Sequence, residues 1–336
     1  MSIDLLRERI RDVTEEDWKV LPVFSYSKME VFKNCPFQYN LKYNEKKYSH
    51  DTTLPLELGS LCHYILEKKG KMLLTNGGVV DYNQLSKIKT NGINENDNHL
   101  LGVKDLKRKY FDMWYESDNA SGMNYEEKMK IFDEVLMNEM SRDSEWQPIL
   151  FEHEFCFVWD DRIIIKGFID RVDTKKTLNT SKGLEYKVID YKTSKKVYDK
   201  SKLSTSLQFG IYALAILNEF GTFPQEYEYR FILIDDRQNA LTKGWEKRLI
   251  RALDVILDKI DEDEKKDCFR PTPTPLCYWC NYSPTNPDAH EYKGECIFYS
   301  LWTPNNKTFS VNCEWESNKT NANNIKLKTS ERKLVF

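Results

Sequence analysis

The pattern of apolar and polar positions divides the chain into a helical beginning, a strand-rich middle and a polar end. Residues 3–19 read as a short charged helix. Residues 27–43 read as a stronger one: Ser27 and Glu30 have the spacing of a capping box, and Met29, Phe32, Phe37 and the stretch from Tyr39 to Tyr43 supply an apolar and aromatic face. Pro36 follows Cys35 directly and should break or restart that helix, which leaves Cys35 at a junction. Another helix is expected from Gly59, with Ser60 as its cap, His63 in its first turn and Glu67 one turn later on the same face. From residue 150 the period shortens to two. Residues 149–159 and 162–172 read as strands joined by a turn at Asp160-Asp161, and residues 184–191 as a third consecutive antiparallel strand beyond a polar loop at 174–183. Residues 206–220 read as a helix whose Gln208 and Tyr212 share a face, 226–234 as a strand, and 245–263 as a long amphipathic helix.

Two regions fall outside this pattern. Residues of about 70–148 read as an inserted helical subdomain, with a polar connection at 75–99 and helices near 101–117 and 124–141. A basic cluster there, Lys104, Lys107, Arg108 and Lys109, is either a solvated helix face or a DNA contact. The last residues, 301–336, are rich in Asn and Lys with little periodicity, and poor order is expected of them.

Composition narrows the picture. The chain has 336 residues, 40% hydrophobic and 13% aromatic, enough for a large core in one big domain or two smaller ones. A net charge of -3 and a pI near 6.1 mean that any nucleic-acid contact must come from local basic patches. No apolar run approaches the roughly 18 residues of a membrane span. The segment Met1–Arg7 lacks a signal-peptide pattern, so a cytoplasmic location is expected. In that setting the eight cysteines should be free thiols, metal ligands or cluster ligands rather than disulfides.

The chemistry concentrates at Val188-Ile189-Asp190-Tyr191-Lys192-Thr193. Two β-branched apolar residues mark a strand in a covered sheet. Asp190 and Lys192, two apart, project from the same face of its end. A carboxylate can hold a hard cation, and a neighbouring lysine can orient an attacking water or stabilise charge developing on a phosphate. By itself the pair is equally consistent with a solvated strand end. Asp170 follows an apolar strand segment in the same way, and adjacent strands would bring it within reach of the cation that Asp190 holds. His63 could add a further ligand. Phosphodiester hydrolysis needs such a set, because water must be activated and negative charge neutralised.

Taken in order, Ser27-x7-Cys35-Pro36, Gly59-x3-His63, Gly167-x2-Asp170, Asp190-x-Lys192, Gln208-x3-Tyr212 and Cys277-x2-Cys280 with a late cysteine resemble the RecB-like branch of the PD-(D/E)XK nucleases. The chain is most similar to the iron–sulfur members: CRISPR-associated RecB-like exonucleases, the AddB nuclease domain and phage-encoded exonucleases. The motifs run from residue 27 to about 296. The resemblance implies that His63, Asp170 and Asp190 are metal ligands, with the carbonyl of Tyr191 as an extra one. It implies that Lys192 is the catalytic lysine and that Gln208 and Tyr212 line the active site and contact DNA.

The cysteines leave alternatives open. A C-x2-C pair in a cytosolic protein binds a metal or cluster, or does redox chemistry. A local zinc set would be Cys268, Cys277, Cys280 and Cys296. The resemblance instead implies a [4Fe–4S] cluster on Cys35, Cys277, Cys280 and Cys296, with Cys268 or Cys313 able to replace the last. The chain departs from the family in spacing: the family's last two cysteines usually lie close together, whereas the whole stretch 281–295 separates Cys280 from Cys296. Together these readings predict an α/β, restriction-endonuclease-like domain over residues 1–300: a mixed central sheet flanked by helices, a helical insertion at about 70–148, and a cysteine-cluster segment at 268–300 pairing with Cys35. The expected activity is Mg²⁺- or Mn²⁺-dependent hydrolysis of single-stranded or end-containing DNA, exonucleolytic by resemblance, in recombination, repair or phage DNA processing, with a helicase or recombination partner left unidentified. The competing reading is a catalytically silent protein that binds DNA ends with a nuclease fold.

Overall fold

In the computed structural model the described residues are 3–49, 54–75, 89–91, 100–102, 145–177, 183–194, 196–234, 236–240, 245–287 and 289–296. They fall in two compact units, the first within residues 1–26 and 53–250 and the second within 27–52 and 251–336.

The first unit opens with α1 (Ile3–Arg7), β1 (Ile10–Arg11), α2 (Asp17–Val20) and β2 (Val23–Phe24). Residues 3–19 therefore do not make the single helix their charge pattern suggests. Arg9 and Arg11 instead turn outward from an extended segment, pairing with Asp160 and Asp161 at 2.8 and 2.6 Å. The second unit starts with α3 (Tyr26–Asn34), α4 (Pro36–Tyr39) and a π-helical turn, Asn40–Asn44. The break at Pro36 is where the missing N–H requires it. Ser27 lies inside α3, one residue past its start, and is not the expected cap.

In the first unit α5 (Leu54–Thr75) begins ahead of Gly59, so Ser60 is not its cap and His63 lies in its third turn. A small antiparallel pair, β3 (Lys89–Asn91) with β4 (Leu100–Gly102), follows. Residues 101 and 102, expected to start a helix, are thus strand. The expected helices at 103–117 and 124–141, the basic cluster at 104–109, Cys313 and the 301–336 tail lie outside the described residues.

The core is a seven-stranded mixed sheet, mostly antiparallel, built on β5 (Gln147–Trp159), β6 (Ile163–Lys176) and β7 (Leu184–Lys192), each antiparallel to the next. β1 pairs with β5, and β2 runs parallel to β6. After α6 (Lys200–Ser204) and α7 (Leu207–Phe220), β8 (Glu226–Phe231) returns parallel to β7, and β9 (Asp236–Asn239) closes the edge. Val188 and Ile189 are fully buried, as continuous apolar runs in a covered sheet should be. α7 is capped at both ends: Ser206 Oγ accepts the Phe209 N–H, and Gly221 takes the left-handed conformation at φ 70°. Its ring contacts, Phe209 on Tyr229 and Tyr212 on Phe155, seat it on the sheet. The polar face includes buried pairs such as Arg171 with Asp173 at 2.6 Å, which satisfy charges that burial would otherwise leave costly.

α8 (Trp245–Lys266) starts in the first unit and ends in the second. In the second unit a stack of Tyr39 on Phe269 and an ion pair of Lys47 with Glu295 at 2.8 Å join its N-terminal and C-terminal segments, which are distant in sequence. No described helix is long and apolar enough to cross a membrane.

Candidate active site

The acidic site lies where the β6–β7 ladder ends, with Asp170 in the middle of β6 and Asp190 near the C-terminal end of β7. That ladder pairs Arg171 with Ile189, which sets Asp170 and Asp190 on neighbouring strands, 8% and 1% exposed. The Tyr191 N–H donates to Asp170 Oδ2 at 2.7 Å, so the strand that carries one acid fixes the other. The Tyr191 hydroxyl lies 3.4 Å from the buried Arg171 guanidinium, which donates to it.

α5 delivers His63. Gly59 and Gly70 flank it on nearly the same helix face, where a Cβ at Gly59 would come 3.3 Å from Thr193 Oγ1 and one at Gly70 would come 2.3 Å from the Phe151 ring. Only glycine at residue 70 lets the helix approach so closely. His63 Nδ1 then lies 3.3 Å from Glu152 Oε1 and 3.5 Å from Asp170 Oδ1. Burial alone would lower the imidazole's pKa, but hydrogen bonds and charge from Asp170 and Glu152 outweigh it and push the group up to about 10. Donor atoms of His63, Glu152 and Asp170 all fall within 4.8 Å of one another, a spacing that fits a single cation.

Glu152 was not among the expected site residues. Its strand reads Phe-Glu-His-Glu-Phe, and its alternation marks the charges as solvent-facing. The β5–β6 register slips between Pro148 and Leu150, and Glu152 itself adopts φ 44°. The flanking pairs, Phe151 with Arg171 and His153 with Ile169, leave Glu152 opposite Asp170. A left-handed non-glycine residue within a strand is strained, and here it coincides with an aimed carboxylate.

Asp190 is held from the other side. Its Oδ1 accepts from Gln208 Nε2 at 2.7 Å, and its Oδ2 pairs with Lys192 Nζ at 2.5 Å. Lys192 Nζ also donates to Gln208 Oε1 at 3.3 Å, closing a ring of three side chains, and Gln208 Nε2 reaches the Tyr212 hydroxyl at 2.9 Å. Burial raises Asp190 to about 6 against the opposing pull of Lys192. Lys192 is raised as well, because Asp190 outweighs the effect of burial. The arrangement therefore puts a compact donor trio beside a buried carboxylate–ammonium pair.

A second constellation occupies the second unit. Cys35 caps α4 in extended conformation, ahead of Pro36. Thr274 caps the 3₁₀ turn Pro275–Trp279, which holds Cys277, and Cys280 ends it. Cys296 returns when its N–H donates to Tyr282 O at 2.9 Å, and the Tyr282 hydroxyl donates to Lys47 O at 2.6 Å. A cavity of about 230 Å³ is lined by Cys35, Cys277, Cys280 and Cys296. Cys268 is not among its lining residues. Backbone N–H groups point at the sulfurs: Thr272 at Cys35 Sγ, 3.5 Å, and Thr274 at Cys277 Sγ, 3.3 Å. Burial pushes the Cys35 and Cys280 thiols up, so each would have to lose its proton to become a ligand.

The sequence pattern of the PD-(D/E)XK nuclease superfamily matches residues 23–285. The B subunit of an ATP-dependent helicase/deoxyribonuclease from Clostridium perfringens (strain SM101 / Type A) is 24% identical over 242 residues, 64% of this chain and 19% of that protein. Its namesake from Clostridium botulinum (strain Okra / Type B1) is 29% identical over 234 residues, 63% of this chain and 19% of its own length. The chain thus spans about a fifth of the length of these curated relatives. A crystal structure of a candidate exonuclease from Eubacterium rectale aligns over 81% of this chain and 94% of that one, with a TM-score of 0.43 and 11% identity. With the superfamily pattern extending over most of its residues, the chain belongs to the PD-(D/E)XK nuclease superfamily.

Proposed function

We propose that this chain hydrolyses phosphodiester bonds in DNA, as an exonuclease acting on single strands or DNA ends, with Mg²⁺ or Mn²⁺ held by His63, Glu152, Asp170, Asp190 and the carbonyl of Tyr191. The observation that carries the proposal is the trio of donors within 4.8 Å of one another beside the Asp190–Lys192 pair. Carboxylate oxygens with one imidazole suit a hard divalent cation. Such an ion, when bound, supplies Lewis acidity at the scissile phosphate. Lys192 carries a fixed ammonium, oriented by Asp190 and Gln208, that can neutralise charge developing on the phosphate. Gln208 keeps the Asp190 carboxylate in place, and Tyr212 steadies the Gln208 amide.

The cysteine cavity supports a [4Fe–4S] cluster on Cys35, Cys277, Cys280 and Cys296 over a local zinc knuckle. Cys35, distant in sequence, lines the cavity with the other three cysteines, whereas Cys268, the fourth member of the local zinc set, does not. The clostridial relatives' name joins a deoxyribonuclease to a helicase, which supports DNA as substrate and a helicase as partner; recombination or repair in the cytoplasm is the setting we propose. The test is digestion of end-labelled single- and double-stranded DNA with Mg²⁺, with Mn²⁺ and with EDTA, by wild type and Lys192→Ala. Cleavage from the labelled ends that requires metal and disappears in folded Lys192→Ala is expected. Wild-type-like cleavage by Lys192→Ala would sink the assignment.

A further inference from the structure

Lys192 has a long flexible stem, and its ammonium contacts Asp190 and Gln208. The same ammonium also lies near an aromatic ring, that of Tyr229. β8 runs parallel to β7 with Tyr229 beside Asp190, so Tyr229 presents its ring on the face from which Lys192 projects. The ring is 3% exposed and its centroid is 5.4 Å from Lys192 Nζ. It is wedged between Phe209 at 4.4 Å and Tyr198 at 4.9 Å, so it cannot turn away. Its hydroxyl shares a 2.6 Å hydrogen bond with Ser206 Oγ, the atom that caps α7 by accepting the Phe209 N–H at 3.2 Å. Just past this cap lies Gln208, the other partner of Lys192. One tyrosine thus touches the lysine with its face and the start of the Gln208 helix with its hydroxyl.

We propose that Tyr229 is the positioning residue for Lys192, its ring holding the ammonium in the site and its hydroxyl keeping the Gln208 helix in register with it. The proposal rests on the reading of Lys192 given above. A desolvated ring face attracts a cation and, being wedged, removes the rotamers in which a lysine would swing out to solvent. The hydroxyl contributes through the cap rather than through the ammonium, so the two parts of the side chain are separable.

The experiment compares Tyr229→Met, Tyr229→Phe and Ser206→Ala with wild type and Lys192→Ala in the full chain, on an end-labelled single-stranded oligonucleotide. Tyr229→Met should lower kcat about ten-fold with KM within two-fold, the loss expected for one cation–ring contact. Tyr229→Phe and Ser206→Ala should each lose about three-fold or less. In NMR spectra of lysine-labelled protein, the Lys192 ε-methylene, assigned by its loss in Lys192→Ala, should be ring-shifted upfield in wild type and Tyr229→Phe and unshifted in Tyr229→Met. Full activity in Tyr229→Met alongside an inactive Lys192→Ala overturns the proposal, as does a Tyr229→Phe defect as large as that of Tyr229→Met. If Tyr229→Met does not fold, an unshifted Lys192 methylene in wild type overturns it alone. An active Lys192→Ala instead refutes the nuclease reading beneath it.

Discussion

The acidic site and the cysteine cavity are made in opposite ways. The acidic site sits on regular structure: three adjacent strands and two helices place Glu152, Asp170, Asp190 and Lys192, and His63 and Gln208. The cysteine cavity sits on interruptions: a proline-restarted helix, a 3₁₀ turn and a loop. A sheet supplies rigidity of its own, so its site can store unfavourable electrostatics. Asp190 is buried to 1% with a carboxyl raised to about 6, and Glu152 takes a strained backbone. A loop-built cavity has no such reserve and depends on cross-links, whether polar ones such as Lys47–Glu295 or the proposed cluster. The difference predicts that damage to the first region costs activity and damage to the second costs stability.

The largest effect expected is in the second region. Cys35→Ala should lose iron from anaerobically purified protein, which in wild type should total about four atoms per chain. With the staple between residue 35 and residues beyond 276 gone, stability should fall by about 5 kcal/mol on loop-closure reasoning. Iron analysis and denaturant midpoints check this, and undiminished iron in Cys35→Ala would break the contrast. Manganese binding to the acidic site, followed by electron paramagnetic resonance, should stay within about two-fold if the two regions depend on different supports.

Next comes Asp190→Asn, expected to slow cleavage by roughly 10²-fold or more. In EDTA the same change should raise the melting temperature at neutral pH. A carboxyl raised to about 6 by burial costs folding free energy once it is ionised, above that pH, and costs nothing below about 4, where folded and unfolded forms are both protonated. The advantage of Asn should therefore be full above pH ~6 and vanish toward pH ~4. A melting curve lower than wild type at pH 7 would refute the idea that this region stores strain for function.

Glu152→Gln should weaken Mn²⁺ binding about ten-fold or more, with the His63 pKa falling because one of its two carboxylate partners becomes neutral. Calorimetric titration measures the first and NMR the second. The smallest effect is that of Tyr212→Phe. Removing the hydroxyl that accepts from Gln208 should cost on the order of 1 kcal/mol, several-fold in rate, with little change in the melting temperature. Lost stability with unchanged specific activity would mark Tyr212 as ordinary core.

Much of this geometry was legible because it is local. Alternation placed the three antiparallel strands, apolar periodicity placed α7, and the i, i+4 relation put Gln208 and Tyr212 together. Other features were not legible. The charge pattern of residues 3–19 suggested one helix where the chain makes two short ones on either side of a two-residue strand, because Arg9 and Arg11 find partners at Asp160 and Asp161, far along the chain. Ser60 resembled a cap, but the helix had already begun at Leu54.

What the sequence determined by itself were the types of the longer elements, the Asp-x-Lys strand end and the family motifs, since these depend on neighbours within a turn or a pleat. Tertiary structure decided the rest. Whether Glu152 faces Asp170 or solvent depends on how much chain the Asp160-Asp161 hairpin spends in its turn and on the left-handed backbone of Glu152 itself, and the smallest change in register sends a side chain to the opposite face. Whether Cys35 lines the same cavity as Cys277, Cys280 and Cys296 depends on closing most of the chain into one loop, a cost met by burial and hydrogen bonds summed over the second unit and by no single stretch of it.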